Sequence, residues 1–301
     1  FTRIASVGGE ALQIFTRNQR QWQVPPLTAE EISRFRGQWA ESPDMPVASH
    51  ASYLINLGSG DGAQAEKSVQ AVVEELRRCD LLGIPWLVIH PGSHGGDGVE
   101  VGLARVVKNL DAALAAAGKE STVKILLETT AGQGNALGSR FEELAWIIDN
   151  ARRPDRLGVC LDTCHIFAGG YDIRTPETYT RTMADFDRTI GLERLLFIHL
   201  NDSKKDLGSR VDRHAAAGGL APEEPGAGLR RGPRQRRDER TGRPPRTGIR
   251  RALAAHGQDA AVLALRSGPI QQPARRQDHF RGHQARRPGA RRHRRVRRRA
   301  M

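Results

Sequence analysis

Short apolar runs alternate with amphipathic stretches over the first 214 residues of the chain. The apolar runs are rich in Ile, Leu and Val and mostly lack apolar–polar alternation, which predicts strands buried on both faces. These predicted strands are Ala11–Thr16, Val47–Asn56, Pro85–Pro91, Lys124–Thr130, Gly158–His165 and Leu195–Asp202. The stretches between them predict helices at Ala29–Glu41, Ala65–Leu82, Gly98–Ala117, Ser139–Ala151 and Pro176–Ile190. Strands alternating with helices predict βαβ units and a parallel α/β sheet.

The charge of the chain changes sign near residue 215. Residues 1–214 contain 24 Lys and Arg against 28 Asp and Glu, a net charge of −4, and residues 215–301 contain 23 Arg, no Lys and 6 acidic residues, a net charge of +17. The second segment has too few apolar residues for a core, so we expect a folded domain at 1–214 and a disordered tail at 215–301. Such a tail could bind nucleic-acid phosphates. We favour a second interpretation, an out-of-frame reading of a GC-rich gene, because the segment combines Arg with Ala, Gly and Pro but lacks Lys.

Composition narrows the protein class further. No apolar run approaches the roughly 20 residues that a membrane helix needs, which excludes a transmembrane protein. The three cysteines, Cys79, Cys160 and Cys164, are too few for a disulfide scaffold and indicate a reducing compartment. We therefore expect a cytoplasmic protein that does not bind a membrane.

Histidines and carboxylates recur at the ends of successive predicted strands. His50, His90, Glu128, Asp162 and His199 are separated by 40, 38, 34 and 37 residues, each interval about one strand plus one helix. Strand ends converge on one mouth in a parallel barrel, and mixed imidazole and carboxylate ligands suit zinc or a similar divalent ion. A single histidine near a strand end is more often structural, but five residues at similar spacing indicate a common metal site.

Three further residues enlarge this ligand set. His165 follows Asp162 closely, and Asp212 and His214 are spaced so that both can face one site from an extended chain. Eight candidate ligands exceed the needs of one metal, so we predict a multinuclear site in which the central Glu128 bridges two ions. Clustered divalent ions activate water and stabilise a leaving alkoxide, which favours phosphodiester hydrolysis. The chain contains no P-loop, GxGxxG or GxSxG element.

Seven segments in family order resemble a known nuclease family. They are FTRNQRQW, HASYLINLG, HPGSH, LETTAGQG, GVCLDTCHIFAGGYDIRT, HLNDSK and GSRVDRH. Together they make residues 1–214 similar to endonuclease IV, the bacterial-type abasic-site repair nuclease. The resemblance implies a (β/α)8 TIM barrel that acts as a monomer.

The resemblance also implies three zinc ions and their ligands. The first zinc would be held by His50, His90 and Glu128. Of these, Glu128 would be the catalytic residue. The second would share Glu128 and add Asp162 and His199. The third would be held by His165, Asp212 and His214.

The substrate implied by the resemblance is double-stranded DNA with abasic sites. The family cleaves 5′ to the abasic site, leaving a 3′-hydroxyl and a 5′-deoxyribose phosphate, and trims blocked 3′ ends. Arg20, Tyr53 and Leu54 are similar to positions that insert into the base stack, where an apolar wedge or an Arg replaces lost stacking. On the residues alone, Tyr53 and Leu54 would instead be strand core residues.

The chain departs from the family pattern at both ends of the barrel. We find six strands rather than eight, so we expect an incomplete barrel. The family's first strand would fall at or before Phe1, and the last-strand glutamate that completes the second zinc has no counterpart after His214. We therefore expect weaker binding of the second zinc and impaired activity.

Two alternative functions remain open from the sequence. A metal-dependent sugar isomerase or epimerase on a related barrel would also use carboxylates and histidines at strand ends, although eight ligands exceed its usual need. A non-catalytic nucleic-acid binder would act through the basic tail.

Overall fold

A parallel sheet in strict chain order organises the part of the chain that the structure, a computed structural model, describes. Residues 1–6 and 8–215 are described in full and residues 261–264 by their backbone alone. The parallel strands, each paired with the next, are β1 (Leu12–Ile14), β2 (Val47–His50), β3 (Trp86–Ile89), β4 (Lys124–Glu128), β5 (Leu157–Asp162) and β6 (Leu195–Leu200). This order is that of a singly wound barrel, because a doubly wound sheet would reverse direction part way along.

Helices connect the strands, and several of them begin at a side chain that caps the helix. They are α1 (Thr2–Ser6), α2 (Ala29–Ala40), α3 (Gly62–Leu82), α4 (Val99–Ala117), α5 (Phe141–Asn150), α6 (Thr163–Gly169) and α7 (Pro176–Thr189), with 3-10 turns at Pro154–Arg156 and Leu192–Arg194. Thr28 and Glu31 form a capping box at α2, and Asp61 accepts two N–H groups at α3. Gly83 ends α3 with φ 79°, the left-handed conformation that glycine adopts without strain. No helix in the described ranges is long and apolar enough to cross a membrane.

The six predicted strands and five predicted helices all occur in the structure, and their bounds differ from it mainly at two places. Residues 51–56 form a loop, not the second half of a strand, and residues 163–165 begin α6 instead of ending a strand. The helix starts there because the Asp162 carboxylate accepts the N–H of His165, an N-cap that the apolar run concealed. The short helix α1 was not predicted.

Three short strands lie outside the parallel set. β7 (Asp202–Ser203) pairs antiparallel with β8 (His214–Ala215), which carries His214 back towards the end of β6. β9 (Ala261–Ala264) pairs antiparallel with β6. The remainder of the predicted tail, 216–260 and 265–301, lies outside the described residues.

The strands pack differently on their two faces. Outward side chains such as Leu87, Ile125 and Val159 join the large core beneath the helices. Inward side chains form a second, smaller cluster that consists of Ala11, Ala48, Val88, Leu126, Cys160 and Phe197. Both faces are apolar, so the sequence showed no alternation.

Candidate metal centre

The inward cluster explains why the candidate ligands meet. Successive residues on a strand point to opposite faces, so the residue two places after an inward core residue also points inward. The five pairs so related are Ala48 and His50, Val88 and His90, Leu126 and Glu128, Cys160 and Asp162, and Phe197 and His199. The ligand candidates therefore form one layer directly above the interior cluster, at the carboxyl ends of their strands.

Glu128 lies at the centre of this layer. Its Oε2 atom is 2.9 Å from His50 Nε2 and 3.1 Å from His90 Nε2. Its Oε1 atom is 2.9 Å from His199 Nδ1 and 3.4 Å from His165 Nδ1. The two carboxylate oxygens thus face different imidazoles, which is the arrangement of a bridging ligand.

A second group of ligand candidates lies towards the open side of the layer. His165 Nε2 and His214 Nε2 are 3.1 Å apart, and the two Asp212 oxygens lie 3.3 Å and 3.2 Å from these nitrogens. Asp162 Oδ2 is 3.6 Å from His199 Nδ1 and 3.8 Å from His214 Nε2. Asp162 therefore stands between the Glu128 group and the Asp212 group.

The separations between ligand atoms fit zinc. Bond lengths of about 2.0–2.2 Å in a tetrahedral site place neighbouring ligand atoms roughly 3.3–3.5 Å apart. The closest pairs within each group lie 2.9–3.3 Å apart, so a small movement would match them to zinc. Groups of three side chains whose ligand atoms lie within 4.8 Å of one another include His50, His90 and Glu128, and also Asp162, His165 and His214.

The electrostatics of the layer keep its carboxylates ionised. Burial favours the neutral form of Glu128, but His199 and His90 lower its pKa well below the usual value. Burial also opposes ionisation of Asp162, yet His165 and His199 lower its pKa to about 2. For His165, burial is outweighed by Asp162 and Asp212, which raise its pKa to about 10. The ionised carboxylates are in the form that binds a cation.

Hydrogen bonds to backbone carbonyls orient two of the imidazoles. His50 Nδ1 donates to the Ala51 carbonyl oxygen at 2.7 Å, which leaves Nε2 facing Glu128. His165 Nδ1 donates to the Thr129 carbonyl oxygen at 2.7 Å, which leaves Nε2 facing His214 and Asp212. Such partners orient the rings so that Nε2 takes the ligand position once it carries no proton.

Two polar residues outside the predicted set also touch the layer. Gln13 Oε1 accepts a hydrogen bond from His199 Nε2 at 2.8 Å, and Asn201 Nδ2 donates to Asp162 Oδ2 at 2.6 Å. Sequence analysis missed Gln13, although it stands two residues after the inward Ala11 and so occupies the same layer on β1. The feature that marks Gln13 is its inward-facing position on the strand, and that position is known only once the strands are paired.

The cysteines beside the ligands are buried and free. Burial raises the pKa of both Cys160 and Cys164 to about 12, so their thiols are neutral in the metal-free chain. Cys160 belongs to the interior cluster, as expected for a small core residue. Its Sγ atom also lies close enough to Glu128 and His199 to form a three-ligand group with them.

The predicted DNA-contacting residues lie in loops beside the metal layer. Tyr53 follows the end of β2, is 56% exposed, and its ring centroid lies 5.4 Å from His50 and 5.9 Å from His90. Leu54 and Tyr53 line a cavity of about 350 Å³ with His50, His90 and Asp212. Arg20 is exposed in the loop after β1. Tyr53 is thus a loop residue at the cavity, not part of a strand core.

Comparison with known proteins first establishes the class of fold. A family model described as a xylose isomerase-like TIM barrel matches residues 1–225. A D-tagatose 3-epimerase-like protein shares this fold with a TM-score of 0.54 over 69% of this chain and 72% of its own, at 18% identity. The chain is a TIM-barrel protein, and its six parallel strands form part of that barrel.

Closer relatives identify the family. A probable endonuclease 4 of Chloroflexus aggregans is 55% identical over 72% of this chain and 76% of its own. Another, of Geobacter sulfurreducens, is 49% identical over 72% of this chain and 74% of its own. The crystal structure of endonuclease IV from Thermus thermophilus matches with a TM-score of 0.64 and 41% identity, covering 72% of this chain and 75% of that one. The chain belongs to the endonuclease IV family, which confirms the resemblance seen in the sequence.

Proposed function

We propose that this chain is a zinc-dependent DNA repair endonuclease. It hydrolyses the phosphodiester 5′ to an abasic site in double-stranded DNA, leaves a 3′-hydroxyl and a 5′-deoxyribose phosphate, and trims blocked 3′ ends. The observation that carries the proposal is the position of Glu128, whose two oxygens face separate imidazoles within a layer of nitrogen and oxygen ligands. Membership of the endonuclease IV family supports DNA as the substrate.

The eight side chains divide into three zinc-binding groups. The first is His50, His90 and Glu128, the second is Glu128, Asp162 and His199, and the third is His165, Asp212 and His214. Zinc held by these side chains would supply Lewis acidity, which lowers the pKa of bound water and offsets the charge on the phosphate.

Residues of the chain hold this centre in position. Glu128 belongs to both the first and the second group. Asp162 accepts a hydrogen bond from Asn201, and the same carboxylate faces His199 of the second group and His214 of the third. Gln13 holds the far nitrogen of His199, so that Nδ1 faces Glu128. These contacts reduce the reorganisation needed when substrate arrives.

The substrate would enter over the exposed side of the layer. Tyr53 and Leu54 line the cavity there, and Arg20 extends from the neighbouring loop. An aromatic wedge and a guanidinium can replace base stacking, and an abasic nucleotide is cheap to extrude because it has no base to unpair.

Within the part of the chain that the structure describes, the second zinc group lacks one ligand of the family pattern. Its proposed ligands are Glu128, Asp162 and His199, and no described residue after His214 supplies the family glutamate expected from a last strand. We propose that this group binds zinc more weakly than the other two, so that cleavage by this chain is slow.

The direct test is cleavage of a labelled duplex that carries one abasic site. Products ending in a 3′-hydroxyl 5′ to the lesion, formed with zinc and abolished by a chelator, would support the proposal. Activity on a free ketose with none on abasic DNA would replace it with a sugar isomerase or epimerase. Three tightly bound zinc ions with rapid cleavage would contradict the weak second group.

A further inference from the structure

A buried carboxylate outside the metal centre joins the two loops that carry the proposed DNA-contacting residues. Glu75 lies on α3 with 0% exposure. Its Oε2 atom accepts from the Thr16 hydroxyl at 2.8 Å, and its Oε1 atom accepts from the Ser52 backbone N–H at 3.2 Å. Thr16 belongs to the loop after β1 and Ser52 to the loop after β2, so one side chain holds both loops.

The same contacts extend to the backbone on both sides of Arg20. The Ser52 hydroxyl donates to the Gln19 carbonyl oxygen at 2.8 Å. Arg17, whose Nε lies 3.9 Å from Glu75 Oε1, donates through Nη2 to the carbonyl oxygen of Gln21 at 2.5 Å. Both carbonyl oxygens that flank Arg20 are therefore held by groups that contact Glu75.

The backbone around Tyr53 is held in a similar way. Ser52, the residue before it, gives its N–H to Glu75, and the Ser52 hydroxyl accepts the N–H of Leu54 at 3.3 Å. Tyr53 thus projects, 56% exposed, from a turn whose two neighbours are fixed. The side chains of Arg20 and Tyr53 are exposed, whereas hydrogen bonds with Arg17, Ser52 and Glu75 hold the backbone beside them.

A second residue of α3 strengthens the loop after β1. Arg78, which is buried, donates from Nε to the Thr16 carbonyl oxygen at 2.9 Å and from Nη1 to that of Pro25 at 3.0 Å. Burial raises the pKa of Glu75, so its charge is costly to keep. Apolar residues would stabilise this part of the core as well as buried charges do. The network of Glu75, Arg17 and Arg78 is therefore better suited to fixing the positions of the two loops than to adding stability.

We propose that Glu75 is a positioning residue for lesion recognition, which acts through Arg17 and Ser52 to hold Arg20 and Tyr53 at the spacing needed to enter the base stack together. This inference rests on the proposed function, because it assumes that these two side chains meet damaged DNA. The polar partners that hold Glu75 in these loops are not metal-ligand candidates. Its loss should therefore affect recognition of the lesion and leave the zinc content unchanged.

The experiment compares binding to two labelled duplexes by the full chain loaded with zinc. One duplex carries a tetrahydrofuran abasic analogue with a non-hydrolysable linkage on its 5′ side, and the other is the same sequence intact. Glu75→Gln weakens the charge pairing, Ser52→Ala removes only the link to Gln19 and Leu54, and Glu66→Gln is a matched control on the exposed side of α3. We expect both loop variants to lose about tenfold in affinity for the abasic duplex, since Ser52→Ala removes a buried hydroxyl and Glu75→Gln removes the buried charge that faces Arg17. Affinity for intact DNA, zinc content and the control variant should not change.

The other outcomes separate the two proposals. If the parent chain binds both duplexes equally, the proposed function fails and the positioning role fails with it. If the parent prefers the abasic duplex and both variants keep that preference, the positioning role is wrong and the function stands. An equal loss of affinity for both duplexes would show a general structural role and would also overturn the proposal. Should Glu75→Gln fail to fold, Ser52→Ala decides, because it removes a single hydroxyl.

Discussion

Replacing Glu128 with glutamine tests whether one carboxylate serves two metal groups. The side chain is 2% exposed and its two oxygens contact His50 and His90 on one side and His199 on the other. Glutamine preserves the shape but converts one oxygen to an NH2 group, which donates hydrogen bonds and cannot bind a cation. Either orientation of the amide therefore removes a ligand from one group, and both groups lose the negative charge.

The size of the effect follows from this double role. Loss of a residue that merely orients a ligand costs about 10–100-fold in metal affinity or activity. A shared direct ligand should cost more, so we expect cleavage to fall by more than about 100-fold and, with both proteins assayed in excess zinc, bound zinc to fall by about two ions per chain. The third group, which consists of His165, Asp212 and His214, should keep its ion because Glu128 supplies no ligand to it.

The assay is metal analysis of the purified variant together with single-turnover cleavage of an abasic duplex. Glu100→Gln, at an exposed position in the first turn of α4, is the matched control for loss of charge. Circular dichroism would verify that both variants fold. Loss of a single zinc ion, or cleavage within a few-fold of the parent, would refute the bridging role.

Three further predictions concern residues around the centre and in the core. Gln13→Leu removes the acceptor of His199 Nε2 and should weaken zinc binding by about 10–100-fold, measured by competition with a chelator; unchanged affinity would show that the ring needs no such partner. Arg156→Ala should lower the free energy of unfolding by about 2–4 kcal/mol in urea denaturation, because this buried guanidinium donates to backbone carbonyl oxygens just before β4. A loss below about 1 kcal/mol would show that these carbonyl groups do not depend on Arg156. Burial raises the pKa of Glu75, so the folded state holds its proton more tightly and stability falls as pH rises from the unfolded pKa through the folded one. Glu75→Gln should therefore gain stability relative to the parent as pH rises above about 4.5, and a constant difference from pH 4 to 8 would argue against this.

The candidate metal centre shows how much linear spacing alone can predict. His50, His90 and Glu128 could be assigned to one mouth because each interval matches one strand plus one helix, and parallel strands bring their carboxyl ends together. The same reasoning predicted the boundaries of most helices, since amphipathic periodicity and capping residues are local features.

Local patterns were wrong where a side chain from another element competes for the backbone. Residues 51–56 have the composition of a strand, but the Ser52 N–H is bonded to Glu75 and the chain leaves the sheet. At residues 163–165 the strand predicted from the preceding apolar run gives way to a helix, because Asp162 caps it. Composition alone does not reveal these partners.

The sequence by itself determined the class of fold, the family and the set of residues at the strand ends, because these depend on periodicity, spacing and motif order. Tertiary structure alone decided which oxygen of Glu128 faces which imidazole and that Gln13 meets His199, 186 positions away. It also decided that Glu75 contacts both the loop after β1 and the loop after β2. The physical reason is that strands buried on both faces show no alternation, so the inward register cannot be read from the chain until the strands are paired.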